Sequence, residues 1–191
     1  MEKVDMAANL EPARFKHVKD VSDKPELATL YKDIVASGFG KENVPGNWFA
    51  SQGERPDLLS ANWAFSQQII MQGQLPATVK QMIIVMVSTH NNCPYCRITH
   101  AQGLAAMGVP EEVVDCLTTD LNLAKVPPLQ RGILVFALKV AQAPATVTDE
   151  DFDVLRDQGL GNGEIMEIVM LAAYTNFINT WALVSGIPID E

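Results

Sequence analysis

The sequence predicts an all-α fold of seven to nine helices, and three observations support this prediction. Prolines and capping residues recur where helices would begin, and glycines recur where they would end. Apolar residues follow helical spacing along most of the 191-residue chain. Strand-turn-strand patterns and heptad arrays do not appear in the sequence. Because a chain of this length buries a sizeable apolar core without disulfides, helices alone can form a stable domain.

The first part of the chain predicts a capped helix and a loop. Asp23, Pro25 and Glu26 form a capping-box pattern with proline in the first turn. The helix that follows would end at Gly38. Residues 39–54 are rich in Gly and Asn and predict a loop.

The next two helices lead to the centre of the chain. A helix over residues 56–72 would end at Gly73. The following segment, ATVKQMIIVMVSTH, is apolar at its centre and fits either a buried strand or a buried helix. Its length favours a helix, and no other segment could pair with it as a strand. We therefore predict a helix from Pro76 to Thr89.

The remaining helices are predicted from the residues that begin them. Asn91 and Asn92 can cap a helix that runs to Met107 and is ended by Gly108. The starts predicted for the later helices are Pro110, Pro127–Pro128, Thr148 with Asp151, and Asn162. The last of these helices is predicted to reach Val184.

Composition and charge exclude several classes of protein. Asp and Glu number 23 against 14 Lys and Arg, so the formal net charge is −9 and nucleic acid is not an expected partner. Hydrophobic residues make up 48% of the chain and charged residues 19%, which suggests a homo-oligomer that covers part of its surface. Three cysteines are too few for a secreted disulfide scaffold, and the N-terminus lacks an apolar stretch of signal-peptide type. We expect a cytoplasmic protein.

The most apolar segment, residues 165–184, does not have the composition of a membrane span. Four polar residues interrupt it: Glu167, Asn176, Asn179 and Thr180. A membrane span tolerates such residues poorly, whereas a buried or interface helix can carry them. The sequence therefore predicts a soluble protein without a membrane partner.

The residues that could take part in catalysis are concentrated in THNNCPYCRITH, residues 89–100. Cys93 and Cys96 would lie in the first turn of a helix, where free backbone N–H groups favour a thiolate. His100 lies one turn beyond Cys96 on the same face and could exchange a proton with it. The two sulfurs could close a disulfide when one is oxidised. The motif contains the parts of a dithiol redox centre, and the spacing leaves open which cysteine attacks.

Two other interpretations compete with a redox dithiol, and a third gives the dithiol a different fold. A Cys-x-x-Cys pair can bind zinc, with His100 as third ligand and His90 or Cys116 as fourth, although a second closely spaced pair is missing. The two thiols could be purely structural. The string CPYC also occurs in glutaredoxins, but that fold needs strands after the dithiol, where this sequence has helical patterns. Cys116 itself fits a core position, and His90 fits a polar helix end better than a catalyst.

The motif and its surroundings resemble the carboxymuconolactone decarboxylase and alkylhydroperoxidase D (AhpD) superfamily, and within it the peroxidase-related members. The family pattern is a glutamate, eleven residues, Cys-x-x-Cys, three residues and a histidine, and Cys93, Cys96 and His100 match it. The segment HAQGLAAMGVPEE and the tail VTDEDFDVLRDQGLGNGEIMEIVMLAAYTNFINTWALVSGIP are also similar. The resemblance implies one AhpD-like domain over residues 21–191, with its core at about 75–125, after an N-terminal extension of residues 1–20.

The family glutamate is replaced in this sequence by Gln81. In the family that carboxylate belongs to a proton relay with the histidine and the cysteines. Glutamine can hold a hydrogen bond but does not titrate near neutral pH. His90 could supply a substitute base. Thr180 is a second departure, because relatives often have arginine after the preceding asparagine.

The resemblance implies a thiol-dependent peroxidase that acts in antioxidant defence. Cys96 would attack a small-molecule hydroperoxide, Cys93 would resolve the sulfenic acid as a disulfide, and an external thiol reductant would reduce it. No metal or cofactor is required, and relatives form trimers or hexamers. Two other functions stay open. One is a carboxymuconolactone decarboxylase-like lyase, against which the dithiol argues, and the other is a non-catalytic redox-responsive scaffold, which Gln81 favours.

Overall fold

The chain is all-α in its computed structural model, which describes residues 13–119 and 125–190. Of these residues, 69% are helical. The α-helices in the described ranges are α1 (Pro25–Ala36), α2 (Asn47–Ala50), α3 (Pro56–Ser66), α4 (Ala77–His90), α5 (Pro94–Ala106), α6 (Glu111–Thr118), α7 (Pro128–Gln142), α8 (Asp149–Asp157) and α9 (Asn162–Ser185). A π-helical turn, Gln67–Met71, continues α3. The predicted fold class is confirmed, while most of the predicted N-terminal extension lies outside the described residues.

The capping predicted from the sequence is found for α8 and not for α1. Thr148 and Asp151 form the predicted capping box of α8, in which the Thr148 N–H donates to Asp151 Oδ2 at 2.7 Å. The cap predicted at Asp23 is wrong, because Lys24 is the N-cap of α1 and makes no side-chain capping hydrogen bond. The Asp23 carboxylate instead accepts a hydrogen bond from Lys24 Nζ at 3.3 Å.

The predicted loop over residues 39–54 contains regular structure. Strands β1 (Gly40–Lys41) and β2 (Val44–Pro45) pair antiparallel, and they form the one sheet in the described residues. Glu42 and Asn43, with φ of 52° and 66°, make the tight turn between them. The short helix α2 follows directly. The loop prediction is wrong here, because strands of two residues and a single helical turn leave no periodic pattern in a sequence.

The described residues form two compact units. The first contains those up to Ala64 together with those from Trp181 onward. Its helix α1 buries Tyr31, whose hydroxyl donates to the Val18 carbonyl at 2.7 Å. The buried Tyr31 hydroxyl therefore has its partner within this unit.

The second unit, Phe65–Thr180, is built around α4. The residues of Val79–Ser88 are all buried, and α4 packs against α5, α6 and α7. The apolar run MIIVMVS is therefore a buried helix, as its length predicts. Because α4 is covered on its sides, its polar side chains Lys80 and Gln81 must find partners inside the unit.

Helix α9 is the one helix of the described ranges that is long and apolar enough to cross a membrane by length and composition. Its mean hydropathy over an 18-residue window is 1.3, and half of that window is buried. Ile168 and Leu171 are among its fully buried residues. A core helix of a soluble protein has the same length and composition, so α9 is weak evidence for a membrane span.

Candidate active site

The cysteine motif lies at the junction between α4 and α5. After His90 ends α4, Asn91 and Asn92 form a turn in which Asn92 has a φ of 52°. Cys93 is the N-cap of α5, and its N–H donates to the Ser88 carbonyl at 2.9 Å. The prediction that Asn91 and Asn92 cap α5 is wrong, because both residues belong to the turn and Cys93 takes the capping position.

The two cysteines are buried together at the start of α5. Cys93 is 1% exposed and Cys96 is 2% exposed, and both are free thiols that hydrogen-bond each other. The hydrogen bond from Cys96 lowers the pKa of Cys93, and backbone N–H groups of the first turn act in the same direction. The same thiol contact, together with burial, raises the pKa of Cys96. The first proton to leave the pair therefore leaves Cys93.

His100 and Gln81 form a second contact at the same two helices. Oε1 of Gln81 on α4 lies 2.7 Å from Nδ1 of His100 on α5. Because an amide oxygen only accepts, Nδ1 carries the hydrogen and Nε2 is left as the acceptor of the ring. Burial lowers the pKa of His100 to about 4, so the imidazole is neutral at neutral pH. Gln81 thus sets the tautomer of His100 without titrating itself.

A group of three asparagine side chains, the amide cluster (Asn91, Asn176 and Asn179), borders the dithiol and is not among the site residues predicted from the sequence. Asn91 Nδ2 donates to Oδ1 of Asn176 at 2.8 Å and to Oδ1 of Asn179 at 2.9 Å. The Asn179 side chain also lowers the pKa of the Cys96 thiol, as a hydrogen-bond donor does. The signal available in the sequence is that Asn176 and Asn179, three residues apart, share one face of an otherwise apolar helix.

The other candidate residues are not brought to the dithiol. His90 is the exposed last residue of α4, and Cys116 is half-buried on α6. Within residues 13–119 and 125–190, no group of three or more His, Cys, Asp and Glu side chains is arranged to hold a metal ion. The geometry therefore gives no support to a zinc site built from the two cysteines, His100 and either His90 or Cys116.

Comparisons with known proteins relate this fold and site to a family. Residues 56–136 match the sequence model of the carboxymuconolactone decarboxylase family. No curated protein matches the chain. The crystal structure of an alkylhydroperoxidase AhpD core, an uncharacterised peroxidase-related protein from Ralstonia eutropha JMP134, is 27% identical with a TM-score of 0.83. The alignment covers 94% of this chain and 93% of that one.

Two further solved structures share the fold at lower identity. An uncharacterised peroxidase-related protein from Silicibacter sp. TM1040 is 22% identical with a TM-score of 0.80, over 94% of this chain and 96% of its own. A variant of the debrominase Bmp8 in complex with 2,3,4-tribromopyrrole is 21% identical with a TM-score of 0.71, over 93% of this chain and 94% of its own. At these identities the likeness shows the fold alone.

The fold and the buried cysteine pair beside a histidine define a helical protein of the AhpD-like class. The family match over residues 56–136 and the AhpD-core structure support the carboxymuconolactone decarboxylase/AhpD-like superfamily. The resemblance carried by the motif and its surroundings is thereby confirmed.

Proposed function

We propose that the protein is a thiol-dependent peroxidase and disulfide oxidoreductase that reduces hydroperoxides through Cys93 and Cys96 in antioxidant defence. The observation that carries the proposal is the hydrogen bond between these two buried thiols. Thiols that already touch in the reduced protein need little movement to close a disulfide. The 27% identical AhpD-core structure, which is described as peroxidase-related, supports the same class of activity.

The proposed cycle uses the two sulfurs and an external reductant. The Cys93 thiolate takes the proton of the Cys96 thiol, and the resulting Cys96 thiolate attacks one oxygen of the hydroperoxide. The O–O bond breaks, the alcohol or water leaves after gaining a proton, and Cys96 becomes a sulfenic acid. Cys93 then attacks the oxidised sulfur, which closes the disulfide and releases water. A dithiol reductant returns two electrons and two protons and restores both thiols.

His100 is proposed as the proton carrier of this cycle. Its neutral ring offers Nε2 as an acceptor, and the Gln81 contact of 2.7 Å holds the ring in that tautomer. A proton released from Cys93 or Cys96 can be held on Nε2 and returned to the leaving oxygen. Gln81 is then a positioning residue, because it acts through the imidazole and carries no proton of its own.

The proposal is tested by mass spectrometry of the free thiols before and after one equivalent of hydroperoxide. We expect Cys93 and Cys96 to lose two hydrogens and form one intramolecular disulfide, which a dithiol then reduces. Cys116, the half-buried cysteine on α6, serves as internal control and should stay reduced. A dithiol pair that stays reduced after this equivalent of hydroperoxide has been added contradicts the peroxidase and leaves a scaffold as the function.

We also propose that the protein is a homo-oligomer, a trimer or hexamer, that associates through an exposed stripe on α9. The stripe consists of Met166, Met170, Ala173, Phe177 and Thr180, which are all exposed and uncharged. They alternate at spacings of four and three residues, the repeat with which helices pack along a seam. Met166 is 62% exposed and Phe177 is 50% exposed, so the stripe is an apolar surface that gains from being covered.

The substitution Phe177→Glu is expected to shift the protein towards the monomer, because it places a charge in the middle of this stripe. Light scattering at micromolar concentration measures the change in mass. Val154→Glu on α8 is the matched control, since Val154 is 53% exposed and lies outside the stripe. Unsubstituted protein that is already monomeric at this concentration would contradict the proposal.

A further inference from the structure

The amide cluster has a fixed direction of hydrogen bonding that begins at the end of α7. The Ala141 carbonyl lies in the last turn of α7, where helix carbonyls have no intrahelical partner. Asn176 Nδ2 donates to this carbonyl at 2.7 Å. A carbonyl oxygen accepts and never donates, so the Asn176 amide cannot be reversed without losing this bond. Oδ1 of Asn176 must therefore face Asn91, which donates to it.

This direction continues through Asn91 to the dithiol. Asn91 Nδ2 has two hydrogens, and it gives one to each Oδ1 of Asn176 and Asn179. With its oxygen occupied in this way, Asn179 turns its Nδ2 to the Ser88 hydroxyl at 2.8 Å. The same amide lowers the pKa of the neighbouring Cys96 thiol, as a hydrogen-bond donor does. The orientation of the amide beside Cys96 is thus set by a chain of bonds that starts at a backbone carbonyl.

We propose that Asn179 is a further residue of the thiol site, which stabilises the Cys96 thiolate by donating a hydrogen bond from Nδ2, and that Asn91 and Asn176 are positioning residues that hold its amide in this orientation. The catalytic meaning of this inference rests on the proposed peroxidase, in which Cys96 attacks. The effect of Asn179 on the ionisation of Cys96 is independent of any activity.

The surroundings of Cys96 make such a donor important. Cys96 and Asn179 are 2% and 1% exposed, so water gives the thiolate little stabilisation. The Ile178 carbonyl of α9 lies 3.9 Å from the sulfur and can only accept from it. Cys93, at the start of α5, is the titratable group that interacts with Cys96 among the described residues. A hydrogen bond donated to the anion opposes these effects, whereas a reversed amide would aim an oxygen at it.

The test reverses the orientation of the Asn179 amide by a substitution at Asn91. Asn91→Asp removes the donor between the two Oδ1 atoms, so Asn179 turns its Nδ2 to the new carboxylate and its oxygen to Cys96. The ionisation of Cys96 is followed by thiolate ultraviolet absorbance in the Cys93→Ser background, where no second thiolate of the pair contributes. We expect the pKa of Cys96 to rise by about one unit, which is roughly a tenfold smaller thiolate fraction at a given pH.

Asn92→Asp is the matched control, since it adds the same charge at the next residue, which is exposed and outside the amide cluster. It should raise the pKa of Cys96 clearly less than Asn91→Asp does. Asn179→Ala removes the donor without adding a charge, and it should raise this pKa as well. Equal shifts for the two Asp variants, or no shift for Asn179→Ala, would overturn the inference.

This experiment separates the inference from the proposed function. The absorbance titration needs no peroxide, so the expected shifts in a protein that does not consume peroxide would leave the Asn179 contact standing and reject the peroxidase. Unchanged titration in a protein that does consume peroxide would reject the role of Asn179 alone.

Discussion

Replacing Cys96 by serine is expected to abolish the turnover of hydroperoxide. A serine hydroxyl is not ionised near neutral pH, so the attacking anion of the proposed cycle is lost. We expect a fall of roughly a thousandfold or more, to the background rate of the reductant with peroxide. The measurement is the steady-state consumption of hydroperoxide with a dithiol reductant.

Cys93→Ser is expected to give a different defect. Cys96 can still attack peroxide, but no resolving thiol follows, so its sulfenic acid should persist and react with a carbon-nucleophile trap. In the parent protein Cys93 is the more acidic thiol, so attack by Cys93 with resolution by Cys96 is the order to be tested against. A sulfenic acid trapped on Cys93 in the Cys96→Ser variant would assign the attack to Cys93.

Gln81→Glu in the same assay tests the departure from the family pattern. A carboxylate against Nδ1 of His100 would raise the pKa of that imidazole above its present value of about 4 and make it a stronger base. We expect peroxide turnover to increase roughly tenfold or more. Gln81→Leu is the matched control and should slow the reaction, because the tautomer is no longer fixed. An unchanged rate in both variants would remove His100 from the proton path.

The sequence predicts those parts of the fold that depend on neighbouring residues. The Thr148–Asp151 capping box and the helical state of MIIVMVS follow from local signals, and both are found. The Asp23 cap fails because α1 begins at Pro25, which makes Lys24 the N-cap and leaves Asp23 one residue outside the capping position. The dithiol, His100 and Gln81 are predictable as a motif, since they lie on two consecutive helices.

The amide cluster could not be predicted in the same way. Asn91 lies two residues before Cys93, whereas Asn176 and Asn179 lie on the last helix. No spacing rule links residues that are 85 and 88 positions apart in the chain. The polar residues of α9 indicate that they have buried hydrogen-bonding partners, but the sequence does not show which residues these are. Glu167 is a similar case, because its position in an apolar helix predicts burial while its partner comes from α4.

That partner, Lys80, forms a buried ion pair with Glu167 inside the second unit. Lys80 is 1% exposed and Glu167 is 8% exposed. The ammonium group contacts Glu167 Oε1 and the Gln72 carbonyl. The other carboxylate oxygen, Oε2, accepts the N–H groups of Gln74 at 2.7 Å and Leu75 at 3.2 Å. The pair therefore holds α4 and the segment that precedes it against α9. Gln81 follows Lys80 directly on α4.

Lys80→Met is expected to lower the free energy of unfolding by about 3–5 kcal/mol, because it leaves the Glu167 carboxylate buried without its cation. Lys80→Met combined with Glu167→Gln should be more stable than Lys80→Met alone, since a neutral amide still accepts from the two backbone N–H groups. Asp153→Asn is the matched control, because the Arg156–Asp153 pair at 2.8 Å is exposed and its loss should cost less than about 1 kcal/mol. Denaturant unfolding measures all three variants. A Lys80→Met protein that loses no more stability than Asp153→Asn would show that the buried pair contributes nothing net to the fold.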